Sequence, residues 1–119
     1  MSLITILLTA AAASQSVVAP APTAGVTDVA YTELSSGNAD AAVRKLEDAA
    51  QSDPAVLINL GAAYARQGAT DKALASYRAA IASPDRYDLE LADGRWMDSR
   101  EVARAALGKL QRETARAER

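Results

Sequence analysis

The chain contains two copies of one short unit, and this repeat constrains the fold more than any other feature of the sequence. Residues 37–42 reappear as residues 68–73, so that Gly, Asp and Ala recur at an offset of 31 residues. The offset continues beyond these segments, relating Leu46 to Tyr77 and Ala49 to Ala80. Repeats of this length are typical of helical arrays in which each unit buries its apolar face against the next.

Each copy has the pattern of a helical hairpin. In the second copy, apolar residues recur at three- and four-residue spacing on both sides of Gly68 and predict antiparallel helices over about 54–67 and 70–83. The first copy predicts a weaker equivalent pair over about 26–35 and 39–51. The glycines break the chain between helices, the aspartates favour helix starts, and Pro54 and Pro84 follow the second helices.

The second copy resembles the tetratricopeptide repeat family. The matching residues are Leu57, Leu60, Gly61, Tyr64, Ala73, Tyr77, Ala80 and Pro84. The first copy keeps Gly37, Ala42, Leu46, Ala49 and Pro54 but lacks the Leu-Gly-x2-Tyr core in its first helix. The offset of 31 residues is shorter than the family's 34, which implies a tighter turn between repeats. The stretch from Tyr87 to Arg100 is similar to one in short exported members of the family from Gram-negative bacteria.

The N-terminal residues are predicted to lie outside this fold. Residues 3–13 are an eleven-residue apolar run, too short to span a bilayer, and predict a signal peptide over residues 1–13. Residues 14–25 are rich in Pro and Ala and predict a flexible linker. We therefore expect a periplasmic or secreted protein with no stable membrane anchor after processing. A cytoplasmic protein is the alternative, because no Lys or Arg precedes the apolar run.

A β-hairpin is predicted over residues 87–97. Tyr87, Leu89 and Leu91 alternate with acidic residues, and Asp93-Gly94 is a strong turn signal. A two-residue turn would place Leu91 opposite Trp96 and both on the face that packs on the helices. We therefore expect Trp96 in the core; an exposed Trp96 would make the hairpin the preferred docking element.

The C-terminal residues predict a helix over 99–116 that covers the end of the repeat array. Asp98 followed by Glu101 resembles a capping box, and the helix carries one apolar stripe. The expected fold is all-α: a helical-hairpin array over residues 26–116, with repeats at about 26–53 and 54–84, the hairpin at 87–97 and the capping helix at 99–116.

Composition argues against catalysis. The chain has no Cys and no His, so it lacks a thiol nucleophile and an imidazole base or metal ligand. Asp85, Asp88, Glu90 and Asp93 cluster, but they lack the ligand spacing of a calcium loop, and alternation puts Asp88 and Glu90 on the solvent side of a strand. We expect no enzyme activity, no cofactor, no metal and, at a net charge of −2, no nucleic-acid partner.

The family resemblance implies a binding surface. First helices of successive repeats line a concave groove that holds a peptide or helix of a partner protein, and Asn59 stands where a polar residue often reaches the ligand backbone. The expected groove residues are Tyr31, Ser35, Ile58, Asn59, Ala62, Ala65 and Arg66. The predicted function is a non-catalytic protein–protein interaction module or scaffold. The alternative is a structural unit that forms a homo-oligomer through apolar surface on the weak first repeat.

Overall fold

The computed structural model of the chain describes residues 30–49 and 52–118. The predicted signal peptide (1–13), the predicted linker (14–25) and residues 26–29 of the first repeat lie outside the described residues. The elements in chain order are α1 (Tyr31–Ser35), α2 (Ala39–Glu47), α3 (Pro54–Arg66), α4 (Thr70–Ala82), β1 (Asp88–Glu90), β2 (Trp96–Asp98) and α5 (Ser99–Ala117). The predicted class, mainly helical with one short β-hairpin, is confirmed.

Helices α3 and α5 begin where the sequence supplies capping groups. Pro54 occupies the first turn of α3, and the Asp53 carboxylate accepts a hydrogen bond from the Ala55 amide at 2.9 Å. The Asp98 carboxylate caps α5 in the same way, accepting from the amides of Arg100 and Glu101 at 3.1 and 3.3 Å. The observed bounds of α3, α4 and α5 all match the predicted bounds to within one residue.

The second helix of the first copy is shorter than predicted. We expected it to run to residue 51, but α2 ends at Glu47, and Asp48 and Ala49 already form a turn, with the Ala49 amide bonded to the Leu46 carbonyl at 3.1 Å. Aspartate is a weak helix former, and the chain has only a few residues left before Asp53 must cap the next helix.

The two helical hairpins close with equivalent turns. Gly37 and Gly68 follow the first helix of each hairpin, with φ of +82° and +80°, a region that strongly favours glycine. Each glycine amide donates to the carbonyl three residues earlier, at 3.1 Å in both turns. The next amide donates to the carbonyl five residues earlier, at 2.8 and 2.9 Å. The turn between the two helices is thus the same in both copies, although α1 has 5 residues and α3 has 13.

The core is built around α3, which packs against α1, α2, α4 and α5. Every residue of α3 from Pro54 to Tyr64 is buried. Gly61 lies against the ring of Tyr77 on α4, which is 1% exposed, so the small residue lets these helices approach closely as predicted. Helix α5 covers α3 and α4 with one stripe of buried residues: Val102, Ala103, Ala106 and Leu110.

Candidate functional site

The central part of the predicted groove is not on the surface. Ile58, Asn59 and Ala62 are each 0% exposed, so the expectation that they share an exposed face is wrong. The physical reason is that neighbouring helices surround α3, whereas a groove-lining helix needs one side free. The sequence did contain a signal, since from Pro54 to Ala65 the polar groups are limited to the Asn59 amide and the Tyr64 hydroxyl. A helix that is apolar all round is a buried helix.

The remaining groove residues lie on α1 and at the end of α3, and the side chains of Arg66 and Ser35 each donate a hydrogen bond within the protein. The Arg66 guanidinium donates from Nη1 to the Leu34 carbonyl at 2.6 Å, and its half-buried position lowers the pKa of Arg66. The Ser35 hydroxyl donates to the Tyr31 carbonyl at 2.6 Å. Tyr31 and Ala65 pack against the core. The Arg66 bond joins the end of α3 to α1, whereas the Ser35 bond stays within α1 and leaves Ser35 exposed.

The β-hairpin differs from its predicted register by one residue. Leu89 lies opposite Met97 and Glu90 lies opposite Trp96. The loop has three residues, because the Leu91 amide donates to the Arg95 carbonyl at 2.8 Å. Gly94 is the last of the three, at φ +88°, as in a turn followed by a glycine bulge. The predicted two-residue turn is therefore wrong.

This shift moves Trp96 from the core to the solvent. Side chains alternate across a strand, so a slip of one residue exchanges the two faces of β2 relative to β1. Leu89 and Leu91 are buried, as predicted, with Met97 partly buried beside them. Trp96 is on the other face and is 63% exposed, so the prediction of a core tryptophan is wrong. Asp88 and Glu90 share this outer face, as the alternation predicted.

The hairpin is fixed to the helices at its open end. The Ser99 amide donates to the Tyr87 carbonyl at 2.9 Å, which ties β1 to the start of α5. The Tyr87 hydroxyl donates to Asp53 at the start of α3, and partial burial together with this bond raises the pKa of Tyr87. Arg86 pairs with Asp98 at 2.8 Å. Trp96 is therefore presented on a support that is anchored to two helices.

The outer face of the hairpin is acidic. Asp88 lies directly opposite Asp98, an arrangement that repels unless one charge is compensated. Arg86 compensates Asp98, and its hydrogen bond holds the pKa of that carboxyl below the ordinary value. Asp93 is likewise paired with Arg95 at 2.7 Å, and a backbone hydrogen bond from Arg95 lowers its pKa.

We define the Trp96 face by four residues: Asp88, Glu90, Trp96 and Asp98. It combines one large exposed apolar ring with three carboxylates. Among residues 30–49 and 52–118, no three acidic side chains are grouped so that they could hold a metal ion. The same residues include no helix that is both long and apolar enough to cross a membrane.

Comparisons with protein-family models, with curated proteins and with solved structures gave no match to this chain.

Proposed function

We propose that the protein is a non-catalytic protein-interaction module that binds its partner through the Trp96 face. The observation that carries this proposal is the 63% exposure of Trp96 on a hairpin whose opposite face is buried. Exposed apolar surface is unfavourable in water, at roughly 25 cal/mol per Å², and a partner that covers the indole recovers this free energy. Tryptophan is also among the residues most enriched at the energetic centres of protein interfaces.

The anchoring of the hairpin supports the same proposal. A docking side chain contributes most when little conformational freedom is lost on binding. Leu89 and Leu91 are buried on the inner face of the hairpin. The Tyr87 hydroxyl donates to Asp53 at the start of α3, and the Ser99 amide at the start of α5 donates to the Tyr87 carbonyl. The backbone that carries Trp96 is thus held in place before a partner binds.

The helical part is, in this proposal, a scaffold of two tetratricopeptide-like hairpins. The equivalent turns at Gly37 and Gly68 and the packing of Gly61 on Tyr77 support it. Export to the periplasm is part of the proposal and is supported by the apolar N-terminal run of the sequence. N-terminal sequencing of the protein recovered from separated cell fractions tests export, and an intact N-terminus in a cytoplasmic fraction would refute it.

Affinity capture with matched variants tests the docking surface. Wild type, Trp96→Ala and Arg104→Ala are immobilised and exposed to an extract of the source cells. Arg104 is the control, because it is exposed on α5 and lies outside the Trp96 face. We expect wild type and Arg104→Ala to recover the same partner and Trp96→Ala to lose it. Equal recovery by all three, with unfolding curves showing that each variant is folded, would refute the proposal.

A further inference from the structure

We infer that the partner meets the Trp96 face with a basic segment, placing a Lys or Arg side chain on the indole between the carboxylates of Asp88 and Glu90. This inference rests on the proposed function and adds the chemical class of the partner. It concerns a surface whose geometry is set by the register of the two strands.

The register places two carboxylates next to the indole. Glu90 is directly opposite Trp96, where Cβ atoms are about 4.5–5.5 Å apart. Asp88 precedes Glu90 by two residues in β1 and lies on the same face. It is the diagonal neighbour of Trp96, at about 7–8 Å. A long basic side chain lying on the ring is within reach of both.

These two carboxylates are the ones on this face that remain uncompensated. Asp98 is paired with Arg86, and Asp93 in the loop is paired with Arg95. Within residues 30–49 and 52–118, no Lys or Arg forms an ion pair with Asp88 or Glu90. The indole therefore lies in a locally negative field that attracts a cation and repels an acidic segment.

The indole itself favours the same occupant. Trp is the aromatic ring that attracts cations most strongly over its face. The aliphatic stem of Lys or Arg covers apolar surface while the charged end stays in water beside a carboxylate. One basic side chain thus covers the apolar ring and also places a positive charge beside both carboxylates. A purely apolar segment supplies no such charge, and an acidic segment is repelled.

Synthetic peptides test this inference on the full-length protein. Three dye-labelled peptides of one design alternate Leu with Lys, with Gln or with Glu, and binding is followed by fluorescence anisotropy. We expect the Lys peptide to bind best and the Glu peptide to bind worst. We expect the affinity of the Lys peptide to fall when salt rises from about 0.1 M to about 1 M, since the Debye length shortens from about 10 Å to about 3 Å.

A double variant in which both carboxylates become neutral amides, called the charge-neutral variant, distinguishes the contribution of the two carboxylates from that of the ring. Asp88→Asn with Glu90→Gln keeps Trp96 and is expected to weaken the Lys peptide by about three- to tenfold, as expected for exposed ion pairs. The matched control is Asp48→Asn with Asp71→Asn, which removes the same charge from exposed positions in the turn after α2 and on α4 and is expected to bind as wild type.

The outcomes distinguish a failure of the basic-segment inference from a failure of the proposed function. Equal binding of the Lys and Gln peptides, no binding of any peptide, or wild-type binding by the charge-neutral variant would overturn the basic-segment inference. The proposed function would survive those results if Trp96→Ala still lost the captured partner, and it would fail if that variant kept it. Sedimentation showing dimers that the charge-neutral variant abolishes would identify a second copy as the occupant and overturn the inference.

Discussion

At the scale of single residues, Gly61 determines how closely α3 and α4 approach. A Cβ atom at this position would lie 2.6 Å from Cε1 and 2.8 Å from Cδ1 of Tyr77, whose ring is buried and cannot move aside. We expect Gly61→Ala to lower the free energy of unfolding by about 1–3 kcal/mol, the usual cost of overpacking a core. Urea unfolding followed by circular dichroism measures the change.

Gly108 on α5 is the matched control for this substitution. An added Cβ there would meet the flexible end of Arg112 at 3.3 Å. We expect Gly108→Ala to leave stability unchanged or raise it by up to about 1 kcal/mol, because alanine is the better helix former. A similar gain for Gly61→Ala would contradict the close packing of α3 on α4.

The raised pKa of Tyr64 predicts that the stability of the fold depends on pH. Burial, together with a hydrogen bond to Glu47, raises the pKa of Tyr64 from 10.0 to about 12. The folded state therefore holds this proton more tightly than the unfolded state, so the stabilisation is complete below pH 10 and is lost as pH rises toward about 12. We expect Tyr64→Phe to cost about 1 kcal/mol at neutral pH and to make the loss above pH 10 shallower. The measurement is the urea midpoint of each protein across this pH range. An equally steep fall of the midpoint with pH in wild type and in Tyr64→Phe would contradict the account.

At the scale of elements, the two faces of the hairpin predict opposite responses to truncation. Leu91 is 7% exposed and Trp96 is 63% exposed. We expect Leu91→Ala to lower the free energy of unfolding by about 2–5 kcal/mol, as for other buried leucines. Trp96→Ala should change it by less than about 0.5 kcal/mol, as for exposed positions. Thermal and urea unfolding measure both, and a large loss for Trp96→Ala would place the ring in the core.

The bounds of α3, α4 and α5 were predictable, whereas the end of α2 and the hairpin register were not, for reasons that lie in local chemistry. Asp53, Pro54 and Asp98 act within one turn of the helix they start, so their effect can be read from neighbouring residues. Asp93-Gly94 is compatible both with a two-residue turn and with a three-residue loop ending at Gly94. The difference of one loop residue determines on which face of the hairpin Trp96 lies.

At the scale of the whole molecule, the candidate groove failed because exposure depends on every helix that packs nearby. Ile58, Asn59 and Ala62 were placed on an open side by analogy with a repeat that has a free concave face. Here α3 contacts four other helices, and only its last residues, Ala65 and Arg66, are less than fully buried. The apolar composition of α3 pointed to this burial more directly than the repeat pattern did.

Acidic and basic side chains are distributed unevenly along the chain. Residues up to 98 carry 12 acidic and 7 basic side chains, whereas residues from 99 onward carry 3 and 6. The acidic excess includes the Trp96 face, while α5 exposes Arg104, Arg112 and Arg116. The proposed docking surface and the capping helix therefore differ in charge although they are adjacent in the chain.

Quenching of tryptophan fluorescence tests most directly whether the hairpin presents the docking surface. Trp96 is the one tryptophan in the sequence, so all indole emission reports on this face. We predict that acrylamide quenches the native protein almost as efficiently as the urea-unfolded protein. We also predict that the ratio of caesium to iodide quenching is higher for the native protein than for free N-acetyltryptophanamide, because Asp88 and Glu90 attract cations. Blue-shifted emission that resists quenching until the protein unfolds would show a buried ring and contradict the account.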